Sequence, residues 1–239
     1  MALSPCPHAV NLLAFDTSTE NLSVALAWGE RNLLTHEGAG GAQASATLIP
    51  AVLRLLEQAG MEMAALDAIV FGRGPGSFTG LRTACSVAQG LAFGADVPVL
   101  PVDTLMAVAE EARHQSGATR VVAMLDARMD ELYCAAYEFD GQVWQLEGGY
   151  ALDKPEALQI RRGWALAGNV FTAYGERIAS NGPRINALPT AQALLRIAPA
   201  LIAAGQSLPA AQALPLYIRD KVAQTTQERA VIRALAGKT

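Results

Sequence analysis

The chain has 239 residues, a net charge of −4 and a pI near 5.4, with 51% hydrophobic and only 17% charged residues. That length holds one large domain or two small ones, burying about 70–75% of the unfolded surface, and the acidity is a poor footprint for gripping nucleic acid unaided. The three scattered cysteines, Cys6, Cys85 and Cys134, form no CxxC pair, which argues against a disulfide framework and for a reducing compartment.

Residues 1–11 read as a short leader with two prolines and neither the basic nor the apolar region of a signal peptide. Leu12–Asp16 reads as a first strand ending in a polar Asp16-Thr17-Ser18-Thr19 turn. Leu22–Trp28 and Asn32–His36 follow as an antiparallel pair around Gly29-Glu30. Ser45–Ala59 has helical periodicity. Leu48, Ile49, Val52, Leu53, Leu55 and Leu56 share a broad apolar arc opposite Arg54, Glu57 and Gln58, and Gly60 ends it.

Ala68–Phe71 reads as a buried strand, and Leu81–Phe93 as a second helix. Between them lies Gly72-Arg73-Gly74-Pro75-Gly76-Ser77-Phe78-Thr79-Gly80. A glycine-rich strand-to-helix turn is where α/β proteins often aim backbone N–H groups at an anion. No Gly-Lys-Ser/Thr follows, and the glycine spacing misses the dinucleotide fingerprint. The loop is therefore read two ways: as a tight structural turn with Ser77 or Thr79 capping the helix, or as a ligand contact.

Pro98–Val102 reads as a strand, and Asp103 or Thr104 as the cap of a helix reaching about Arg113. Past Gly117 the pattern begins again. Asp16, Leu22 and Ala25 recur as Asp126, Leu132 and Ala135, an offset of 110 residues. Val121–Asp126, Leu132–Phe139 and Val143–Tyr150 are expected to repeat the first three strands. Trp164–Gly168 reads as a strand, Ala173–Ala179 and Thr190–Ala204 as helices, and Leu214–Arg219 as a proline-marked strand or turn. The expected divisions are 1–11, a first lobe 12–116, a second lobe 117–223 and a tail 224–239.

Chemistry is sparse. His8, His36 and His114 sit beside no nucleophile turn, and there is no GxSxG elbow and no Cys/His or HExxH cluster. Asp16-Thr17-Ser18 could hold a nucleotide phosphate or its magnesium. The matching place in the second half, Asp126-Ala127-Arg128-Met129, has large side chains where a phosphate-binding turn needs glycines. Leu81, Ala84, Cys85, Ala88 and Leu91 make a second apolar arc of mainly small residues. Such an arc either covers the chain's own sheet or lets a partner helix approach closely.

Four segments, Phe15–Thr19, Gly74–Arg82, Asp126–Tyr133 and Pro215–Arg219, resemble the TsaB (YeaZ) family in order and spacing over nearly the whole chain. The resemblance implies an α/β, actin-like ATPase (RNase H-like) fold of two similar lobes with mixed sheets flanked by helices. It implies a cytoplasmic, non-catalytic subunit for making threonylcarbamoyladenosine at position 37 of tRNAs reading ANN codons. Its partners would be the catalytic, metal-holding paralogue TsaD and the ATPase TsaE, with tRNA reached through the complex, self-pairing when TsaD is absent, and no membrane. The metal histidines of TsaD would fall at Ala42–Thr47, which has none, and the His-Ser pair of many TsaB sequences is Ala44-Ser45 here.

The expected interface is Ser45, Leu48, Ile49, Val52, Leu53 and Leu56 with Leu81, Ala84, Cys85, Ala88 and Leu91. Val52→Glu or Ala88→Glu should then break the complex and spare the fold. No intrinsic cofactor is expected. ADP or ATP at the complex interface would touch Asp16, Thr17, Ser18, Gly74, Gly76, Ser77 and Thr79. The competing reading is an autonomous ATP-dependent small-molecule kinase or ATPase of the same fold.

Overall fold

A computed structural model describes residues 10–219. Most of the expected leader, the expected tail, Cys6 and His8 lie outside the described residues. The first half runs β1 (Leu12–Asp16), β2 (Asn21–Trp28), β3 (Asn32–Ala39), α1 (Ala44–Ala59), β4 (Ala68–Gly74), α2 (Phe78–Ala95), β5 (Val99–Asp103) and α3 (Thr104–Ser116). The second runs β6 (Arg120–Arg128), β7 (Glu131–Phe139), β8 (Trp144–Asp153), β9 (Ala165–Gly168), α4 (Phe171–Tyr174), β10 (Arg184–Asn186) and α5 (Ala191–Ala203).

The two halves share one topology. The first sheet has the order β3-β2-β1-β4-β5, and the second reads β8-β7-β6-β9-β10. In each, the first three strands are antiparallel and the last two add in parallel. This is the two-lobed, actin-like α/β fold, and the weak 110-residue repeat is its trace in the sequence. One difference lies at the end of the first strand of each lobe. Asp16 pairs with Ser23, whereas Asp126 pairs with Leu132, and a bulge between Asp126 and Arg128 takes up the slip.

Alternation along the strands sets the layers. Leu13, Phe15, Ile69 and Phe71 face outward, under α1 and α2. Leu12, Ala14, Ala68 and Val70 face inward, into a core common to both sheets. The outer face of the second sheet packs Val122, Met124, Trp164 and Val170 beneath the segment after β8.

The inner helices are exchanged between lobes. α3 follows the first sheet in sequence and still touches β4 and β5, but it packs most heavily on β6 and reaches β7, β9 and β10, while α5 packs on β1, β2, β4 and β5. Small residues permit this. Ala107, Ala109, Ala112, Ala193 and Ala198 bring helix backbones close to Ala14, Ala25, Ala123 and Ala135. Buried Glu110 of α3 accepts bonds from Arg113, from Trp144 Nε1 (3.0 Å) and from Arg196 Nε of α5 (2.8 Å). Burial pushes its carboxyl up, but these bonds outweigh that and hold it below the usual carboxylate range.

The two partner arcs need correction. Leu48, Val52, Leu56, Ala84, Cys85 and Ala88 are buried against the chain's own sheet, Leu81 is buried beside Gly74 at the cleft wall, and Leu91 is partly buried against the sheet's core. Periodicity defines an arc without saying which part of it the sheet takes. The sheet takes the centre and leaves the margin. Ser45, Ile49 and Leu53 remain exposed on α1. Two other expectations shift. A short 3-10 turn at Gly175–Arg177 replaces most of the helix expected to run to Ala179, and Leu214–Arg219 is extended without forming a strand. β10, only three residues long, was not legible in the sequence.

Removing Glu110 tests the central layer. Glu110→Ala should cost about 3 kcal/mol, because it leaves Arg196, Arg113 and Trp144 without their buried acceptor. A urea midpoint within a few tenths molar of wild type contradicts this.

Candidate functional site

One cleft collects all four motif segments. It has a volume of about 390 Å³ and lies between the lobes. Ser18, Gly76, Ser77, Asp126, Arg128 and Arg219 are among its lining residues. Leu81, Leu125, Tyr133 and Ile218 give it apolar walls.

The glycine loop is joined to the β1–β2 turn. Ser77 N–H donates to the Ser18 carbonyl at 2.7 Å, and Thr17 Oγ1 donates to the Gly80 carbonyl at 2.7 Å. A Cβ at Gly80 would lie 1.8 Å from the Thr17 carbonyl oxygen, and one at Gly76 2.6 Å from that of Ser18. Gly74, at φ 118°, lies against the Leu216 carbonyl. The glycines therefore admit other backbone, and Ser77 caps α2 through Gly80 N–H at 3.5 Å. In the protein alone, the structural reading of the loop holds for these groups.

Asp16 is fully buried. Its Oδ1 accepts from Ser18 N (2.8 Å) and Ser18 Oγ (2.6 Å), and its Oδ2 accepts from Thr104 Oγ1 at 3.5 Å. Gly72 exists to make room for it, since a Cβ there would meet Asp16 Oδ2 at 1.8 Å. Burial pushes the Asp16 carboxyl up to about 6, against the pull of the Ser18 and Thr104 bonds. Neither Asp16 nor Thr17 faces the cleft, and Gly74 and exposed Thr79 are not among its walls. Of the seven candidate nucleotide contacts, Ser18, Gly76 and Ser77 line it.

Across the cleft, Asp126 is bound by its own turn. It accepts from Arg128 N (2.8 Å), Arg128 Nη1 (3.1 Å) and Tyr174 Oη (3.1 Å), and its N–H donates to Asn169 Oδ1. Arg128, Met129 and Asp130 all have left-handed φ, at 61°, 56° and 64°. The turn keeps a glycine-type backbone while carrying large side chains, at about 1 kcal/mol or more per residue. Arg177, on Asp130 at 2.5 Å and 2.9 Å, and Arg219, on Glu131 at 2.5 Å, hold it in place. Arg128 and Met129 project at the cleft mouth, with Met129 75% exposed.

Asn169 and Arg177 were not singled out in the sequence, and Thr104 was expected only as a helix cap. Thr104 and Asn169 had a signal, a polar residue directly after a buried strand ends in Asp or Gly. Arg177 had none. Among the described residues no group of three or more His, Cys, Asp or Glu side chains is placed to hold a metal ion.

The family model described as TsaD, tRNA N6-adenosine threonylcarbamoyltransferase, matches residues 41–238. The TsaB protein of Escherichia coli is 36% identical over 224 residues, covering 90% of this chain and 96% of that protein. The chain belongs to the TsaB family. The Haemophilus influenzae TsaB protein is also 36% identical, over 89% of this chain and 95% of that one. A solved structure of YeaZ from Pseudomonas aeruginosa superposes with a TM-score of 0.81 at 42% identity, covering 87% of this chain and all of that one. The segments that carried the TsaB resemblance are the ones that meet around the cleft.

Two substitutions test the TsaB-type cleft. Helix propensity alone favours Gly80→Ala by about 1 kcal/mol, but the clash with the Thr17 carbonyl should make it destabilising by about 2 kcal/mol, read as a lower urea midpoint. Asp16→Asn should change the pH profile. The folded carboxyl binds its proton more tightly than the unfolded one, so its stabilising contribution is complete below pH 4 and is lost as pH rises through about 6. Wild type should lose on the order of 3 kcal/mol relative to Asp16→Asn between pH 4 and 7. Parallel profiles would contradict the assignment.

Proposed function

We propose that this chain is a non-catalytic, activating subunit in the synthesis of threonylcarbamoyladenosine on tRNA, and that it acts by binding the catalytic subunit TsaD through the outer faces of α1 and α2. The observation that carries this reading is the near full-length similarity to proteins named for tRNA threonylcarbamoyladenosine biosynthesis. The surface supports it. α1 and α2 pack side by side on the first sheet. Beyond the residues that the sheet covers, Ile49, Leu53 and Phe93 stay 40%, 53% and 81% exposed. Gly90 and Gly94 leave open space beside Phe93, so another helix could lie close to α2.

TsaE would join as the ATPase of the assembly, tRNA would be held mainly by TsaD, and the same faces would self-pair when TsaD is absent. Among the described residues no helix is long and apolar enough to cross a membrane. We place the subunit in the cytoplasm.

The rival, an autonomous kinase or ATPase, needs an acidic side chain and loop N–H groups free for magnesium and phosphate. Here the Asp16 oxygens and the Ser77 N–H are engaged within the protein, and the opposing turn carries Arg128 and Met129. These contacts favour the subunit reading.

Leu53→Glu and Phe93→Glu should abolish co-elution with TsaD and the threonylcarbamoylation of tRNA by the reconstituted system, with melting temperature unchanged. Val52→Glu should instead unfold the chain, because it buries an unpaired carboxylate. Intact complexes with both exposed-site variants would refute the interface. Calorimetry of the isolated chain with magnesium-ATP should show no binding at micromolar concentration. Micromolar binding would revive the kinase reading.

A further inference from the structure

Asp103 breaks a local rule. It occupies the N-cap position of α3, where an aspartate ordinarily bonds a backbone N–H of the first turn, yet it makes no such bond. A cap of that kind is worth about 1 kcal/mol. Its carboxylate is used elsewhere. Oδ1 accepts from Arg73 Nε at 2.6 Å, at the end of β4, and Oδ2 accepts from the Tyr150 hydroxyl of β8. The first bond is within the first lobe; the second crosses to the other. The buried Tyr137 hydroxyl, on β7, lies near the same pair.

Arg73 also starts a second crossing. Its carbonyl accepts from Leu216 N–H at 2.7 Å. The segment around Leu216 is tied along α2 by Cys85 Sγ to the Ala213 carbonyl and by Arg82 Nε to Tyr217 Oη. It then reaches the second lobe, where Arg219 bonds Glu131 and the Arg128 carbonyl.

We infer that Arg73 is the junction of a two-armed lock that fixes the angle between the lobes, one arm running through Asp103 to Tyr150 and the other through the 210–219 strap to Glu131. Two-lobed proteins that close on a ligand do so by hinge or shear between lobes. Here both arms would have to break, and the shared inner core would have to slide. The cleft is held at one opening, and the α1–α2 surface keeps a constant relation to the cleft mouth whatever small molecule is present.

The test is a distance measurement on the full chain. Spin labels go on Glu57→Cys of α1 and Gln142→Cys of the β7–β8 turn, with Cys6 and Cys134 replaced by Ala and Cys85 by Ser, which keeps a donor for the Ala213 carbonyl. The otherwise native protein should give one narrow distance, unchanged by millimolar magnesium-ATP or magnesium-ADP. Tyr150→Phe combined with Arg219→Ala should broaden the distribution or add a second, longer distance. Should that pair fail to fold by circular dichroism, Asp103→Asn combined with Arg219→Gln, which keep side-chain volume while weakening both arms, is read the same way. A broad native distribution, a shift on adding nucleotide, or a folded lock variant as narrow as the native protein would overturn the inference.

Discussion

The exchange of α3 and α5 between the two sheets is the constraint on which the rest of the molecule depends. Each sheet has its inner face covered by a helix that belongs, in sequence, with the other sheet. The result is one apolar layer contributed by both lobes, with Glu110 as its polar centre. A helix can sit there only if residues on every side are small. That fits the alanines of the inner layer and the burial of most of α3 between Thr104 and Ala112. With the inner layer shared, the ends of β1, β4 and β6 are brought to one cleft, and the motif segments meet there.

Groups around the cleft that the sequence offered as nucleotide contacts are used within the protein. Glycines that elsewhere admit phosphate here admit the Thr17 and Ser18 backbone. An aspartate that elsewhere faces a cation here satisfies a serine and a threonine. A turn with glycine-type dihedrals carries an arginine and a methionine instead. The glycines and the aspartate are thereby engaged within the chain, while Arg128 and Met129 stand at the cleft mouth.

Much of this was legible in the sequence, for physical reasons. A continuous apolar run such as Leu12 to Phe15 marks a strand covered on both faces, and the recurrence of Asp16, Leu22 and Ala25 at Asp126, Leu132 and Ala135 marks a duplicated meander. The glycine loop drew attention correctly, but composition could not say whether a ligand or the chain itself would occupy its open side. The exposed and buried parts of α1 were likewise inseparable by periodicity, because Ile49 and Leu53 are as apolar as Leu48 and Val52. Long-range polar pairs such as Arg177 with Asp130 have no local signature at all, since 47 residues separate the partners.

The helix exchange also bears on synthesis. Translation releases the first sheet long before α5, so the inner face of β1 and β2, and the parts of β4 and β5 that α3 does not reach, lack their cover until about residue 203 has emerged from the ribosome. During that interval an apolar sheet surface is open to solvent and to other chains, the kind of exposure that favours misassembly in larger proteins. Neither lobe can mature as a free-standing half, and a nascent chain stalled before Ala191 would be a ready client for chaperones.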